Sequence, residues 1–142
     1  MSSSADPQKW ACDTSVAIAS LDPSNPLHLK CRRAVRTHRP ALAGHAAFEC
    51  YSVLTHMPPP FRVAPAQAAK LLADAFAQTC WLDPADAAEL LVRLSDLGIS
   101  GGATYDALVG EAARSNDCRL LTADRRAEHT YRALGADYLF VQ

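Results

Sequence analysis

Short apolar segments alternate with helical segments along nearly the whole chain, and this alternation restricts the fold more than any other feature. Strand character is predicted for "KWAC", "RPALAG", "CWL", "CRLLT" and "DYLFV", with at least one helical segment between each strand and the next. Strands that alternate with helices form a parallel sheet covered by helices on both faces. We therefore predict an α/β fold, a three-layer α/β/α sandwich with a short, mostly parallel twisted sheet.

Caps and helix breakers set the limits of the predicted helices. Asp83, Pro84 and Gly98 predict one helix over 83–98, with a cap, an early proline and a terminal glycine. The Ala/Leu-rich segment 64–79 is predicted as another helix. The prolines at 58–60 have no helical option, so they are predicted to form a loop.

The 142 residues fit one domain, and a hydrophobic fraction of 49% is enough for a core. The start, "MSSSADPQ", is polar and lacks the basic and apolar regions of a signal peptide. We predict a flexible tail over residues 1–8 and a single domain over 9–142. No apolar run approaches the roughly 18 residues of a membrane-spanning helix, so a cytoplasmic protein without membrane contact is expected.

The cysteine content indicates neither a disulfide framework nor a zinc site. Five cysteines stand at positions 12, 31, 50, 80 and 118, and no two form a Cys-x-x-Cys pair. We predict reduced cysteines that pack in the core.

Two acidic residues follow predicted strands, and two more lie among small apolar residues. Asp13 ends the first strand and Asp124 follows "CRLLT". Because ligands of open α/β sheets bind outside the carboxyl ends of the strands, both acids are predicted at one edge. Asp106 and Glu49 lie on the apolar faces of predicted helices.

Each acid also has a purely structural interpretation. Asp13, Asp106 and Asp124 are suited to helix starts, and Glu49 to a solvated helix face. Gathered carboxylates, in contrast, repel one another unless a cation lies among them. Hard divalent cations prefer such oxygen ligands and suit phosphodiester cleavage.

Several motifs resemble those of PIN-domain ribonucleases, and most closely those of VapC-type toxins from type II toxin–antitoxin systems. They are "CDTS", "FECYSVLT", "GATYDALVGEAARSNDCRLLTAD" and "YRALGADYLFV", and the resemblance extends over about 10–141. It implies a PIN-like fold. It also implies a catalytic set that binds Mg²⁺ or Mn²⁺, with Ser15 and Thr122 orienting the acids; that set is Asp13, Glu49, Asp106 and Asp124.

The function implied by this resemblance is that of a metal-dependent endoribonuclease, the toxin of a toxin–antitoxin pair. Such an enzyme cleaves RNA phosphodiesters with a metal-activated water. The resemblance further implies a small antitoxin of the VapB type and a homodimer. Because the net charge is only −1, RNA contacts must rest on local basic groups, and Arg125 and Arg126 beside Asp124 are the candidates.

Other classes are less consistent with the residues. A phosphoacceptor receiver domain needs a lysine on a late strand, but the three lysines stand early, at 9, 30 and 70. A haloacid-dehalogenase-like phosphatase needs Asp-x-Asp, whereas this chain has Asp13-Thr14-Ser15. Two alternatives stay open: a non-catalytic PIN-like module that binds RNA or a partner, and a metal-dependent nuclease that acts on DNA.

Overall fold

The computed structural model describes residues 7–142. Residues 1–6, which make up most of the predicted tail, lie outside the described residues. The strands are β1 (Lys9–Cys12), β2 (Ala41–Ala43), β3 (Thr79–Cys80), β4 (Cys118–Thr122) and β5 (Tyr138–Phe140). The helices are α1 (Thr14–Leu21), α2 (His28–His38), α3 (Ala46–His56), α4 (Pro65–Ala75), α5 (Pro84–Arg93), α6 (Ala103–Ser115) and α7 (Glu128–Leu134), and a 3-10 turn (Arg125–Ala127) precedes α7.

The strands form one sheet in the order β3-β2-β1-β4-β5, and every pair is parallel. The central strand β1 aligns Ala11 with Ala41 of β2 on one side and with Leu120 of β4 on the other. Contacts join α1 to α2 and α3, and α3 to α4, while α6 contacts α5 and α7. The predicted three-layer α/β/α fold is confirmed.

The core lies on both faces of the central strands. Cys12, Leu42, Leu120 and Leu121 are almost completely buried, as expected for parallel strands covered by helices. All five cysteines are buried and free of disulfides, as predicted. Burial raises the pKa of Cys50 and of Cys80 to about 12, so these thiols act as packing groups.

Two predicted helices end earlier than expected. The helix predicted over 64–79 ends at Ala75, because Phe76 enters the core and the backbone then turns to pair Thr79 and Cys80 with β2. The helix predicted over 83–98 ends at Arg93, and its last predicted turns become a bend that closes at Gly98 with φ of 71°. At Phe76 tertiary packing overrides a good helical pattern. After Arg93 the chain instead forms a local turn, in which the Gly98 amide donates to Ser95 O and the Ile99 amide to Leu94 O.

The order of connection changes direction next to β1. The chain passes from β1 to β2 and β3 on one side and returns to β4 and β5 on the other. A crevice therefore opens between the carboxyl ends of β1 and β4, where the helices that follow the two strands diverge. Asp13 directly follows β1, and Asp124 lies two residues beyond β4.

Candidate active site

Asp13 is the buried centre of the site. It caps α1, and only 4% of its surface is exposed. Its Oδ1 accepts hydrogen bonds from Ser15 Oγ at 2.5 Å and from the Val16 amide at 3.2 Å. Its Oδ2 accepts from Thr122 Oγ1 at 2.5 Å and from the Tyr131 hydroxyl at 2.8 Å. Burial raises the pKa of Asp13, although these four donors oppose the shift.

Ser15 and Thr122 each connect two parts of the crevice. Ser15 Oγ donates to Asp13 and accepts from the Ala123 amide at 2.9 Å. Thr122 Oγ1 donates to Asp13 and accepts from the Asp124 amide at 3.1 Å. The two hydroxyls therefore connect the start of α1 to the residues that follow β4 by hydrogen bonds. This geometry suits the role predicted for them, which is to orient the acids.

Tyr131 was not predicted from the sequence. It lies on α7, is 1% exposed, and donates its hydroxyl proton to Asp13. Gly110 of α6 provides its space, because a Cβ there would lie 2.9 Å from Tyr131 Cδ1. The only sequence signal was the apolar face that Tyr131 shares with Ala127 and Leu134, and that signal predicts burial and not a hydrogen bond to Asp13.

Asp106 is coupled to the other three predicted acids. It lies in the first turn of α6 and is partly buried. The pKa of Asp106 is raised to about 6, and burial is the largest cause of this rise. The nearby carboxylates of Asp124, Glu49 and Asp13 add to it, while Arg126 opposes it. The other three acids therefore all lie within electrostatic range of Asp106.

Glu49 and Asp124 belong to two different elements of the fold. Glu49 is in the first turn of α3, where burial raises its pKa and the charge of His45 opposes the shift. Asp124 caps the 3-10 turn, and its Oδ1 accepts from the Arg126 amide at 2.9 Å. Asp124 is therefore also a structural cap, as its alternative interpretation predicted.

The oxygen atoms of the four acids are donors that suit a divalent cation, but the side chains are not arranged as a set of direct metal ligands. Within residues 7–142, no three His, Cys, Asp or Glu side chains come close enough to hold one metal ion directly. All four predicted ligands are nevertheless oxygen donors, and Mg²⁺ usually takes only one or two carboxylates directly and keeps several waters. A cation would also relieve the repulsion that adds to burial in raising the pKa of Asp106. The assignment of ligands stays a prediction.

The two candidate arginines differ in their contacts. The guanidinium of Arg125 lies 4.0 Å from the ring centroid of Phe140, in a cation–π contact. Arg126 is 94% exposed, and its Nε lies 3.6 Å from Asp124 Oδ1. Both arginines are exposed, but Arg126 lies beside Asp124 while Arg125 lies against Phe140 of β5.

The raised pKa of Asp106 predicts a pH dependence of stability in metal-free buffer. Between the ordinary pKa of 3.8 and about 6, the folded protein binds more protons than the unfolded chain. The free energy of unfolding should therefore fall as the pH rises from about 4 to about 6. In urea titrations with chelator, Asp106→Asn should show a shallower fall than the unsubstituted protein. Equal slopes in the two proteins would contradict the coupling.

No helix within the described part of the chain is both long and apolar enough to span a bilayer.

Comparisons of the sequence with known proteins identify its family. The family model described as "PIN domain" matches residues 11–133. Ribonuclease VapC27 of Mycobacterium tuberculosis (strain ATCC 25618 / H37Rv) is 42% identical over 125 residues, covering 88% of this chain and 91% of the relative. Ribonuclease VapC40 of Mycobacterium tuberculosis (strain CDC 1551 / Oshkosh) is 42% identical over 125 residues, covering 87% of this chain and 92% of the relative.

A parallel α/β domain with acids at its topological switch point defines the broad class. Within that class, the chain belongs to the PIN domain family, with the VapC-type proteins as its relatives, as the motifs predicted.

Proposed function

We propose that this protein is a metal-dependent endoribonuclease and the toxin of a toxin–antitoxin pair. The observation that carries the proposal is that a chain of the PIN domain family places Asp13 and Asp124 just beyond the carboxyl ends of two adjacent parallel strands. It is supported by the names of the two relatives, both of which are ribonucleases. PIN-domain nucleases are generally dependent on a divalent metal.

The residues have separate roles in this proposal. Asp13, Asp106 and Asp124 would hold Mg²⁺ or Mn²⁺, and Glu49 would help to position the ion or a water. When bound, the ion supplies the charge that activates water and stabilises the phosphate in the transition state. Ser15 and Thr122 hold Asp13 in one orientation, as described above.

In this proposal a basic side chain, and not the four acids, contacts the RNA phosphates. Arg126 neutralises a phosphate next to the scissile bond, for which its exposed guanidinium is suited. Water would attack the phosphorus as the bond to the 3′-oxygen breaks, so that hydrolysis leaves a 5′-phosphate and a 3′-hydroxyl. No side chain needs to form a covalent intermediate.

The partner and the setting follow from the toxin role. We propose a small antitoxin of the VapB type, a homodimer, a single PIN-like domain over residues 9–142 and a cytoplasmic location. Co-expression with the product of the neighbouring gene, followed by co-purification, tests the antitoxin. Sedimentation of the purified chain tests the dimer.

Cleavage by the purified, partner-free protein tests the catalytic function. Total RNA and single-stranded DNA are incubated with Mg²⁺, with Mn²⁺ and with chelator, with Asp106→Asn as the inactive control. Metal-dependent RNA products that are absent from the control support the proposal. Cleavage of DNA alone would favour the DNA nuclease, and RNA binding without cleavage would favour the non-catalytic module.

Divalent cations are expected to raise the melting temperature. An ion that binds only the folded state at about 100 times its Kd stabilises it by about 2.7 kcal/mol. The rise should be present in a differential scanning titration with Mg²⁺ or Mn²⁺ and should shrink in Asp106→Asn. An unchanged melting temperature across millimolar concentrations would contradict a cation site.

Arg126→Ala is expected to weaken RNA binding and to lower the slope of log affinity against log salt by about one unit, because one phosphate contact is lost. Arg125→Ala is measured beside it, since Arg125 is the other candidate and its guanidinium lies on Phe140. Fluorescence anisotropy with a labelled single-stranded RNA in chelator measures the slope for each variant and for the unsubstituted protein. A slope for Arg126→Ala equal to that of the unsubstituted protein would remove Arg126 from the phosphate contacts.

A further inference from the structure

One side of the molecule carries a cluster of exposed arginines. The segment 23–48 contains no acidic residue, although the net charge of the whole chain is only −1. Within residues 7–142, all the ion pairs are formed by cations outside this segment. Four of its arginines are exposed on α2 or directly after it. We call them the α2 arginine surface, and they are Arg32, Arg33, Arg36 and Arg39.

Two grooves meet along the α2 arginine surface. One, of about 350 Å³, is bordered by Arg32, Arg33 and Arg36. The other, of about 580 Å³, is bordered by Arg36, Arg39 and Gln78. Because Arg36 belongs to both grooves, they form one continuous path along the helix.

One acidic residue borders the second groove, but its charge is already balanced. The Oδ2 atom of Asp74 lies 2.7 Å from Lys70 Nζ. Among the residues that border this groove, the guanidinium groups of Arg36 and Arg39 are therefore the charges that remain unbalanced.

The α2 arginine surface leads away from the candidate active site. Leu27, the residue before α2, borders the same cleft as Asp124. At the other end of α2, Arg39 lies just before β2, and Gln78 of the same groove lies just before β3. Since Asp124 follows a parallel strand, Arg39 is at the opposite edge of the sheet. Four residues of β1 separate the two edges by about 13 Å.

We propose that the α2 arginine surface binds the phosphodiester backbone of an RNA strand several nucleotides away from the cut. The inference rests on the proposed ribonuclease function, and it adds that the substrate is an RNA long enough to reach the opposite edge of the sheet.

The arrangement of the charges favours an anionic partner over solvent alone. Arg32 and Arg36 are four positions apart and Arg33 and Arg36 are three apart, so their side chains are neighbours on the helix. Like charges at these spacings destabilise a helix. On α4 the same spacing instead joins opposite charges, those of Lys70 and Asp74. A cluster of like charges that is unfavourable in the free protein becomes favourable when a polyanion lies on it.

The chemistry of the surface fits phosphates better than an acidic protein. A guanidinium presents planar donors that match phosphate oxygens, and in 28–39 the four arginines outnumber the one lysine, Lys30. A protein interface needs an apolar core. Among the residues that border the two grooves, Leu29 is the one exposed large apolar side chain, and it lies at the end of the path.

The salt dependence of RNA binding tests the surface. Arg36→Gln/Arg39→Gln removes the two charges farthest from the acids, and Arg62→Gln/Arg132→Gln is the matched control, which removes two exposed arginine charges elsewhere. Fluorescence anisotropy in chelator uses a labelled single-stranded RNA of about 20 nucleotides, which is longer than the path. The slope of log affinity against log salt should fall by about 1.4 units in the surface variant, because each phosphate contact on a single strand contributes about 0.7. The control should keep the slope of the unsubstituted protein.

Cleavage kinetics with the same RNA in Mg²⁺ separate binding from chemistry. Contacts far from the scissile bond are equal in the ground state and the transition state, so the surface variant should raise KM with kcat unchanged. We expect a rise of about tenfold at 0.1 M salt. The melting temperature should stay equal or rise, because like charges are removed from one face of the molecule. A lower melting temperature together with a lower kcat would assign these arginines to the fold and overturn the proposal.

The outcomes separate this inference from the proposed function. If the unsubstituted protein neither binds nor cuts RNA, the proposed function fails and the inference fails with it. If it cuts RNA, and the surface variant keeps both the salt slope and KM, only the α2 arginine surface is overturned. An unchanged salt slope with lost co-purification of a co-expressed partner protein would assign the surface to that partner instead of RNA.

Discussion

Asp106→Asn is expected to reduce RNA cleavage by about a hundredfold or more while the fold is retained, as is typical when one electrostatic group of a catalytic site is removed. Asparagine has nearly the same shape as aspartate, so the small apolar face of α6 still packs. What is lost is one negative charge of the group that would hold the cation. Initial rates with a defined RNA substrate in Mg²⁺ measure the loss.

The same substitution should stabilise the metal-free protein near neutral pH. Burial, and after it the charges of Asp124, Glu49 and Asp13, raise the pKa of Asp106, and neutral asparagine experiences neither the cost of burying a charge nor that repulsion. Lost activity with raised stability in chelator distinguishes a removed functional charge from a damaged fold.

Asp117→Asn is a suitable control for Asp106→Asn. Asp117 follows the same helix, is exposed, and has φ of 58°, a conformation that asparagine also adopts readily. It should keep full activity. Full activity in Asp106→Asn as well would remove Asp106 from the mechanism.

Asp13→Ala is expected to lower the free energy of unfolding by about 3 kcal/mol or more, because buried donors left without an acceptor cost about 1–3 kcal/mol each. The Thr122 and Tyr131 hydroxyls both lose their acceptor, and each of these residues is almost fully buried. Since domains are stable by only about 5–15 kcal/mol, this loss is a large part of the total. Urea denaturation followed by circular dichroism measures it.

The charge of Asp13 is not the origin of this stability. Burial raises the pKa of Asp13 despite its four donors, so the ionised form is costly to keep in the folded protein. Asp13→Asn keeps one acceptor oxygen and should therefore lose less stability than Asp13→Ala. Equal stability of Asp13→Ala and the unsubstituted protein would contradict the hydrogen-bond account. Inactivity of Asp13→Ala alone is thus weak support for a catalytic role, and Asp106→Asn is the better inactive control.

The alternation of strands and helices was enough to predict the parallel sheet and the three layers. It was also enough to predict that Asp13 and Asp124 share an edge, since both follow strands and parallel strands end on the same side. Hydrophobic period and cap residues act over a few neighbouring positions, and they therefore predict element type and chain direction well. The early end of α4 was missed because the burial of Phe76 in the core depends on distant residues. The closing turn of α5 at Gly98, in contrast, is held by local hydrogen bonds, so its position is not explained by distant contacts.

The details of the site depended on contacts between residues far apart in the chain. Pairing of β4 with β1 brings Thr122 to Asp13, and packing of α7 against Gly110 brings in Tyr131, 118 positions away. Contact with Phe140 separates Arg125 from Arg126, although the two are adjacent in sequence. Local patterns do not specify which distant side chains meet when the strands pair and the helices pack, because many arrangements of the same elements satisfy the same patterns. The packed core selects one of them, and that selection creates the hydrogen bonds around Asp13.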